Sequence, residues 1–171
     1  MTVVHQTEFV KPAEITSDKA APHMTARQLG EHSWVVIFSA GDEVFSGLTR
    51  WAREHQVGTG RLTGIGAWSS VVLGYYDLER KAYRKNVIHE QVELLSLMGH
   101  MAINNGRTAV HAHAVVGLSD GSVRGGHLLE AYASPTTEVF VTTSWVMLHK
   151  QFDSQSGLDL LVPTTEKKEP R

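Results

Sequence analysis

The sequence contains no cysteine among its 171 residues. This absence excludes disulfide bonds, thiolate metal sites and a cysteine nucleophile, and it fits a reducing compartment. Any metal must therefore be bound through nitrogen and oxygen atoms. No run approaches the roughly 18 apolar residues that a membrane span needs, and the first residues, MTVVHQTEFV, lack the basic and apolar segments of a secretion signal. We therefore expect a soluble, cytoplasmic protein with no membrane partner.

An excess of charge of one sign is also lacking. The 16 basic and 18 acidic residues give a formal net charge of −2, so no net field draws the protein to nucleic acid or to an anionic membrane. The glycines of GTGRLTGIGAW match neither phosphate-loop spacing. We expect no nucleic-acid partner and no nucleotide cofactor.

The chain has the length of one domain that buries its core without crosslinks. We predict an N-terminal arm over 1–22, a single domain over 23–162 and a flexible C-terminal tail over 163–171. One amphipathic helix is predicted from an N-cap at Asp42 to His55. The remaining pattern is typical of strands. The predicted strands are 24–29, 33–38, 61–67, 70–76, 92–98, 101–104, 110–118, a run from 123, 138–148 and 158–162, with a turn at 131–135 before the strand 138–148.

Three histidines fall in residues 110–129, VHAHAVVGLSDGSVRGGHLL. His111 and His113 are one residue apart in a β-prone run, so both side chains leave the same face of a strand. The Asp120-Gly121 pair predicts a hairpin turn that brings His127 back past them. Clustered imidazoles indicate a metal site.

The register of this hairpin decides whether His127 joins the other two histidines. With Asp120-Gly121 as a two-residue loop, simple pairing places His127 opposite Ala114, on the wrong face. A β-bulge at Gly125-Gly126 would shift it opposite Val115 and onto the histidine face. We therefore predict such a bulge.

Histidine spacing alone is a weak signal. Ten histidines in 171 residues give roughly 0.5 pairs at any fixed spacing by chance. Histidines satisfied by hydrogen bonds at the surface or in the core are the alternative interpretation. Glu93 lies in the strand 92–98 and is predicted to share a face with Leu95 and Leu97, where a carboxylate must be exposed, paired or bound.

Four blocks in order, GIGAWSSVVLGYYD, VELLSLMG, VHAHAVVGLSDGSVRGGHLLEA and TEVFV, resemble the plants and prokaryotes conserved (PPC) domain from about residue 24 to 162. The resemblance implies an α+β fold (α/β in loose usage) with a curved, mainly antiparallel sheet, one principal helix and a homotrimer. It also implies a zinc site at His111, His113 and His127. His100 stands where the family more often has Asn, either as an extra polar group near the site or as a surface change. The Arg-Gly-Arg-Pro hook of DNA-binding plant members is absent.

A more distant likeness to acetolactate decarboxylase implies that Glu93 faces the metal. The sequence leaves three roles open for Glu93: fourth ligand, general base, or a partner that holds a histidine tautomer. Glu130 and Glu138 are weaker candidates for the last role. A related human zinc ester hydrolase resembles another branch of the same architecture.

Two functions remain open from the sequence. The first is a trimeric protein that binds Zn²⁺, or another divalent ion, and binds or converts a small carbonyl or carboxylate compound as a lyase or hydrolase would. The second is a non-enzymatic regulatory module that binds DNA or protein and holds a structural metal. Whether the protein is an enzyme is undecided at this point.

Overall fold

The computed structural model describes residues 8–162, which form one α-helix and ten β-strands. The strands are β1 (Phe9–Val10), β2 (Thr25–Gly30), β3 (Ser33–Ser39), β4 (Gly60–Asp77), β5 (Ala82–Ile88), β6 (Val92–Asn104), β7 (Arg107–Gly117), β8 (Val123–Thr143), β9 (His149–Asp153) and β10 (Leu158–Val162), and helix α1 spans Val44–Glu54. A 3-10 turn, Pro12–Glu14, follows β1. The prediction of an α+β fold with one principal helix is confirmed.

The strands form one sheet in the order β1-β5-β4-β6-β7-β8-β3-β2. Neighbouring strands pair antiparallel, and a parallel bridge between Ile103 and His149 attaches the β9–β10 hairpin to β6. The two long strands β4 and β8 also pair, from Gly60 opposite Thr143 to Gly74 opposite His127. β4 thus pairs with both β6 and β8, and β7 pairs with both of those strands as well, so β7 and β8, which contain the predicted histidines, are neighbours.

The N-cap of helix α1 is Glu43 instead of the predicted Asp42. The buried Glu43 carboxylate accepts hydrogen bonds from the backbone N–H groups of Phe45 at 3.0 Å and Ser46 at 2.7 Å. It also accepts from the N–H of Ala131 in β8 at 3.0 Å. Asp42 is unavailable as a cap because its carboxylate accepts from two N–H groups outside the helix, those of His23 and Ser39.

The helix packs one face on the sheet. Val44, Leu48, Trp51 and Ala52 are buried, as their spacing predicts. They join a single core with the inward residues of the strands, among which Trp68, Leu97 and Leu128 are fully buried. The opposite face of the strands is left to solvent or to the site.

Three predicted breaks are absent. β4 is one strand where two were predicted, and β8 runs through 131–135, where a turn was predicted, and ends at Thr143 instead of 148. β6 continues through Gly99, where an end was predicted. A Cβ at Gly99 would lie 2.2 Å from the carbonyl oxygen of His111, so this glycine permits close approach of β7 and does not end the strand.

The described part of the predicted arm packs on the sheet. β1 pairs with β5, and Ala21 is buried beneath α1. Residues 1–7 and the predicted tail, 163–171, lie outside the described residues. Between residues 8 and 162 there is no helix with the length and apolar character needed to cross a membrane.

Candidate metal centre

The histidines lie on three adjacent strands, β6, β7 and β8. His100 pairs with His111 across β6 and β7, and His113 pairs with His127 across β7 and β8. Because directly opposed residues share a face of a sheet, all four imidazoles leave the same side. Ala112 and Ala114, which alternate with them in β7, are buried in the core.

The register of the hairpin differs from the predicted one. The loop contains the five residues 118–122, in which the N–H of Leu118 donates to the carbonyl of Ser122 at 2.8 Å. Pairing then continues without a bulge through Gly125 and Gly126. The predicted bulge is wrong, because the loop itself supplies the shift that brings His127 to the histidine face, opposite His113.

The three predicted ligands converge. One nitrogen from each of His111, His113 and His127 lies within 4.8 Å of the others. The Nε2 atoms of His111 and His113 are 3.3 Å apart. Two nitrogens bound to a tetrahedral zinc ion at about 2.0–2.1 Å would lie about 3.3 Å apart, so this pair already has a suitable separation.

Burial keeps two of the imidazoles neutral. Burial, with smaller contributions from the neighbouring imidazoles and Lys150, lowers the pKa of His127 to about 3 and that of His111 to about 4. Neutral imidazole is the form that binds metal ions. Nδ1 of His127 is buried with no hydrogen-bond partner among residues 8–162, as expected for an atom that needs a ligand or water.

The ring of Tyr83 packs against the imidazole of His127. The two rings stack with centroids 4.5 Å apart and planes 22° apart. Burial raises the pKa of the Tyr83 phenol to about 12, so it stays neutral. Gly74 makes room for this ring, since a Cβ there would lie 2.9 Å from Tyr83. The sequence had favoured a solvated hairpin end around Tyr83, because the pairing of β4 with both β5 and β8 that buries it is not visible in sequence.

His100 is an additional polar group near the site and not a surface change. Its ring centroid is 5.1 Å from that of His111. Burial lowers its pKa, and its Nε2 is buried without a hydrogen-bond partner in the described part of the chain.

A cavity of about 410 Å³ lies over His100, His111 and His127. Helix α1 contributes Arg53 to its wall, and β9 contributes Lys150. Burial lowers the pKa of Lys150, which Asp159 partly offsets. Sequence analysis missed both cations, because neither lies near the histidines in the chain and neither belongs to a recognisable motif.

The structure does not bring the predicted carboxylates to the histidines. Glu93 is exposed on β6 opposite Gly117, four residues along β7 from His113, which is about 13 Å of strand. A register shift between Leu94 and Ser96 turns Leu97 to the core, so Glu93 and Leu97 do not share a face as predicted.

Glu130 and Glu138 lie elsewhere. Glu130 forms an ion pair with Lys19 beside a separate, smaller pocket. Glu138 pairs with Ile37 on β3 and Ile65 on β4. Among the described residues, the cluster that can hold a metal consists of the three histidines alone.

Comparison with solved structures supports the fold. A metal-containing protein of Archaeoglobus fulgidus is 31% identical, with a TM-score of 0.71 over 80% of this chain and 100% of its own. A Bacteroides thetaiotaomicron protein provisionally described as DNA-binding is 26% identical, with a TM-score of 0.78 over 81% and 96%. A plant- and prokaryote-conserved (PPC) protein of Pyrococcus horikoshii, 23% identical, has a TM-score of 0.72 over 85% and 99%.

No curated protein matches the chain significantly. The likeness to acetolactate decarboxylase therefore rests on the sequence blocks alone. The Plants and Prokaryotes Conserved (PCC) domain model matches residues 26–145, well over half of the chain and the whole histidine hairpin. The chain belongs to the Plants and Prokaryotes Conserved domain family.

Proposed function

We propose that the protein is a cytoplasmic, homotrimeric zinc protein that binds and converts a small carbonyl or carboxylate compound, as a lyase or hydrolase would. The convergence of His111, His113 and His127 beside a cavity carries the proposal. The metal-containing relative from Archaeoglobus fulgidus supports it. The cysteine-free composition suits the reducing cytoplasm.

The donor set suits a catalytic ion better than a structural one. Three nitrogen ligands leave a fourth position for substrate or water, whereas structural zinc sites use four protein ligands. Zinc, when bound, would act as a Lewis acid toward a carbonyl oxygen. Tyr83 fixes the plane of the His127 ring, and His100 lines the same cavity. Glu93 remains a predicted catalytic residue, and its exposed position requires another chain or a movement to bring it to the metal.

Metal analysis tests the proposal. Protein purified without added metal should contain about one zinc ion per chain. His111→Ala and His127→Ala should each lose most of it, while His89→Ala, an exposed histidine between β5 and β6, should retain it. Zinc absent from the wild-type protein, or unchanged in both ligand variants, would overturn the proposal.

An exposed apolar surface supports self-association. Met98, Thr63 and Phe140 lie side by side across β6, β4 and β8, and Ile65 and Leu95 extend the same surface. Met98 is 62% and Ile65 57% exposed, which is unusual for a cluster of large apolar side chains on a monomer. Because Met98 is also paired with His113, the surface continues to the metal centre.

Sedimentation tests the trimer. Ile65→Asp should dissociate it, because a carboxylate buried between subunits has no partner. Leu29→Asp provides a matched control, since Leu29 is similarly exposed at 54% but lies on β2, away from this surface. A wild-type monomer, or an Ile65→Asp trimer, would contradict the assignment.

The Bacteroides relative favours a second candidate, a DNA- or protein-binding module in which the metal is structural. Under that function, chelation would lower the melting temperature or dissociate the trimer without loss of any turnover. DNA binding should then be strongest at low salt. We expect no DNA binding even at low salt, because the net charge of the protein is −2.

A further inference from the structure

The cavity over the histidines is closed by segments outside the family match. The PCC model covers residues 26–145, whereas Pro12, Ile15 and the β9–β10 hairpin lie before and after it. The matched region therefore provides the histidines, Tyr83 and the residues of α1, β6 and β7, and the flanking segments provide the rest of the lining. Ligand selection by this protein should depend on what those segments contribute.

Lys150 is the cationic residue that the hairpin contributes. It is half-buried on β9 and lies close enough to His100, His111 and His127 to lower the pKa of each. Its ammonium forms no hydrogen bond or ion pair with another residue between 8 and 162. Asp159, the acidic group that acts on it electrostatically, already accepts a hydrogen bond from Asn104 at 2.8 Å. A partly desolvated ammonium of this kind favours an anionic partner.

The charge of the wall also favours an anion. The charged residues that line the cavity are Arg53, Lys150 and Asp159, so the cations exceed the anions by one before any metal is bound. Arg53 uses its Nε to donate to the carbonyl of Thr108 at 3.2 Å, which leaves its terminal nitrogens available. A divalent ion would increase the positive charge further. Phe45 and Leu158 make the rest of the wall largely apolar.

We propose that Lys150 binds the carboxylate of a small organic acid in this cavity, with Arg53 as the second cation of the wall. The inference rests on the proposed function, because it names the ligand class of the same site. The cavity of about 410 Å³ has room for such a ligand. Because Lys150 and Arg53 recognise the carboxylate, the cavity should bind acids in preference to the corresponding amides and esters. The apolar wall accepts a short aliphatic group.

Binding of pyruvate and of its neutral isostere pyruvamide tests the proposal, measured by ligand-observed NMR on zinc-loaded and EDTA-treated protein. Lys150→Met keeps most of the stem and removes the charge, and it should weaken pyruvate binding by about 10- to 100-fold, the effect of losing a charge-assisted hydrogen bond. Pyruvamide binding should be unchanged. Lys150→Arg should retain pyruvate binding, because it keeps the positive charge. Lys81→Met is the matched control, because the Lys81 ammonium contacts the same hairpin at the carbonyl of Ser154 but lies outside the cavity wall.

The outcomes separate this inference from the proposed function. If zinc is present and Lys150→Met binds pyruvate as the wild type does, the Lys150 assignment is wrong and the metal site stands. If zinc is absent and Lys150→Met still weakens pyruvate binding, the metal site is wrong and the carboxylate site stands. No pyruvate binding by the wild type, or equal loss of pyruvate and pyruvamide in Lys150→Met, would overturn the inference.

Discussion

Lowering the pH should destabilise the metal-free protein through two of its metal ligands. The pKa values of His111 and His127 are about 4 and about 3 in the folded protein, against an ordinary value of 6.5. As the pH falls below 6.5, the unfolded chain therefore binds two protons that the folded chain does not. The contribution of these histidines to the free energy of unfolding is fully present above pH 6.5. It decreases on acidification, until His111 and His127 bind protons in the folded protein as well.

The size of this effect follows from the two shifts. At about pH 5, protonation stabilises an unfolded histidine of ordinary pKa by about 2 kcal/mol relative to its neutral form, and the folded groups at pH 5 gain almost nothing. The two histidines together should lower the free energy of unfolding by about 4 kcal/mol, a large part of the 5–15 kcal/mol that is typical of a domain.

Urea unfolding of EDTA-treated protein at fixed protein concentration, from about pH 8 to about pH 5, measures this loss. A His111→Gln/His127→Gln double variant should lose about 4 kcal/mol less over that range, because glutamine does not titrate. The His89→Gln variant, changed at an exposed site, should behave as the wild type does. Equal losses in the wild type and the double variant would refute the reasoning that these imidazoles are held neutral by burial.

Two further substitutions test the scaffold around the site. Glu43→Ala should lower the free energy of unfolding by about 3–5 kcal/mol in denaturant titrations, because it removes the helix cap and leaves buried N–H groups without acceptors; a loss under about 1 kcal/mol would contradict that role. Gly99→Ala should destabilise the protein by about 1–3 kcal/mol and reduce zinc content, since its Cβ would lie 2.2 Å from the carbonyl oxygen of His111. Gly117→Ala, whose Cβ would meet only Leu95 at 3.4 Å, should be nearly neutral in both assays.

Local patterns in the sequence were sufficient for much of the fold. The apolar spacing in α1 and the β-prone runs of β2 and β3 depend on neighbours close in the chain, and these elements were confirmed. The choice between Asp42 and Glu43 as N-cap was not predictable, because it depends on His23 and on Ala131 from β8. Likewise, the continuity of β6 through Gly99 depends on β7.

The candidate site was predicted in its ligands but not in its surroundings. His111, His113 and His127 belong to one hairpin, so a spacing argument could bring them together. Tyr83 and Lys150 reach the same place only through pairings between strands far apart in the chain. The PCC match ends at residue 145, before the β9–β10 hairpin. Membership of the family therefore gives no information on Lys150.

The pairing of His113 with His127 also has a consequence for folding. A slip of one residue between β7 and β8 would turn His127 to the face of Ala114 and separate it from His111. A metal ion that needs all three imidazoles would bind only the correctly aligned hairpin and would stabilise it selectively over the slipped alternatives. The ion would therefore select the correct alignment of the two strands, in addition to any chemistry that it supports.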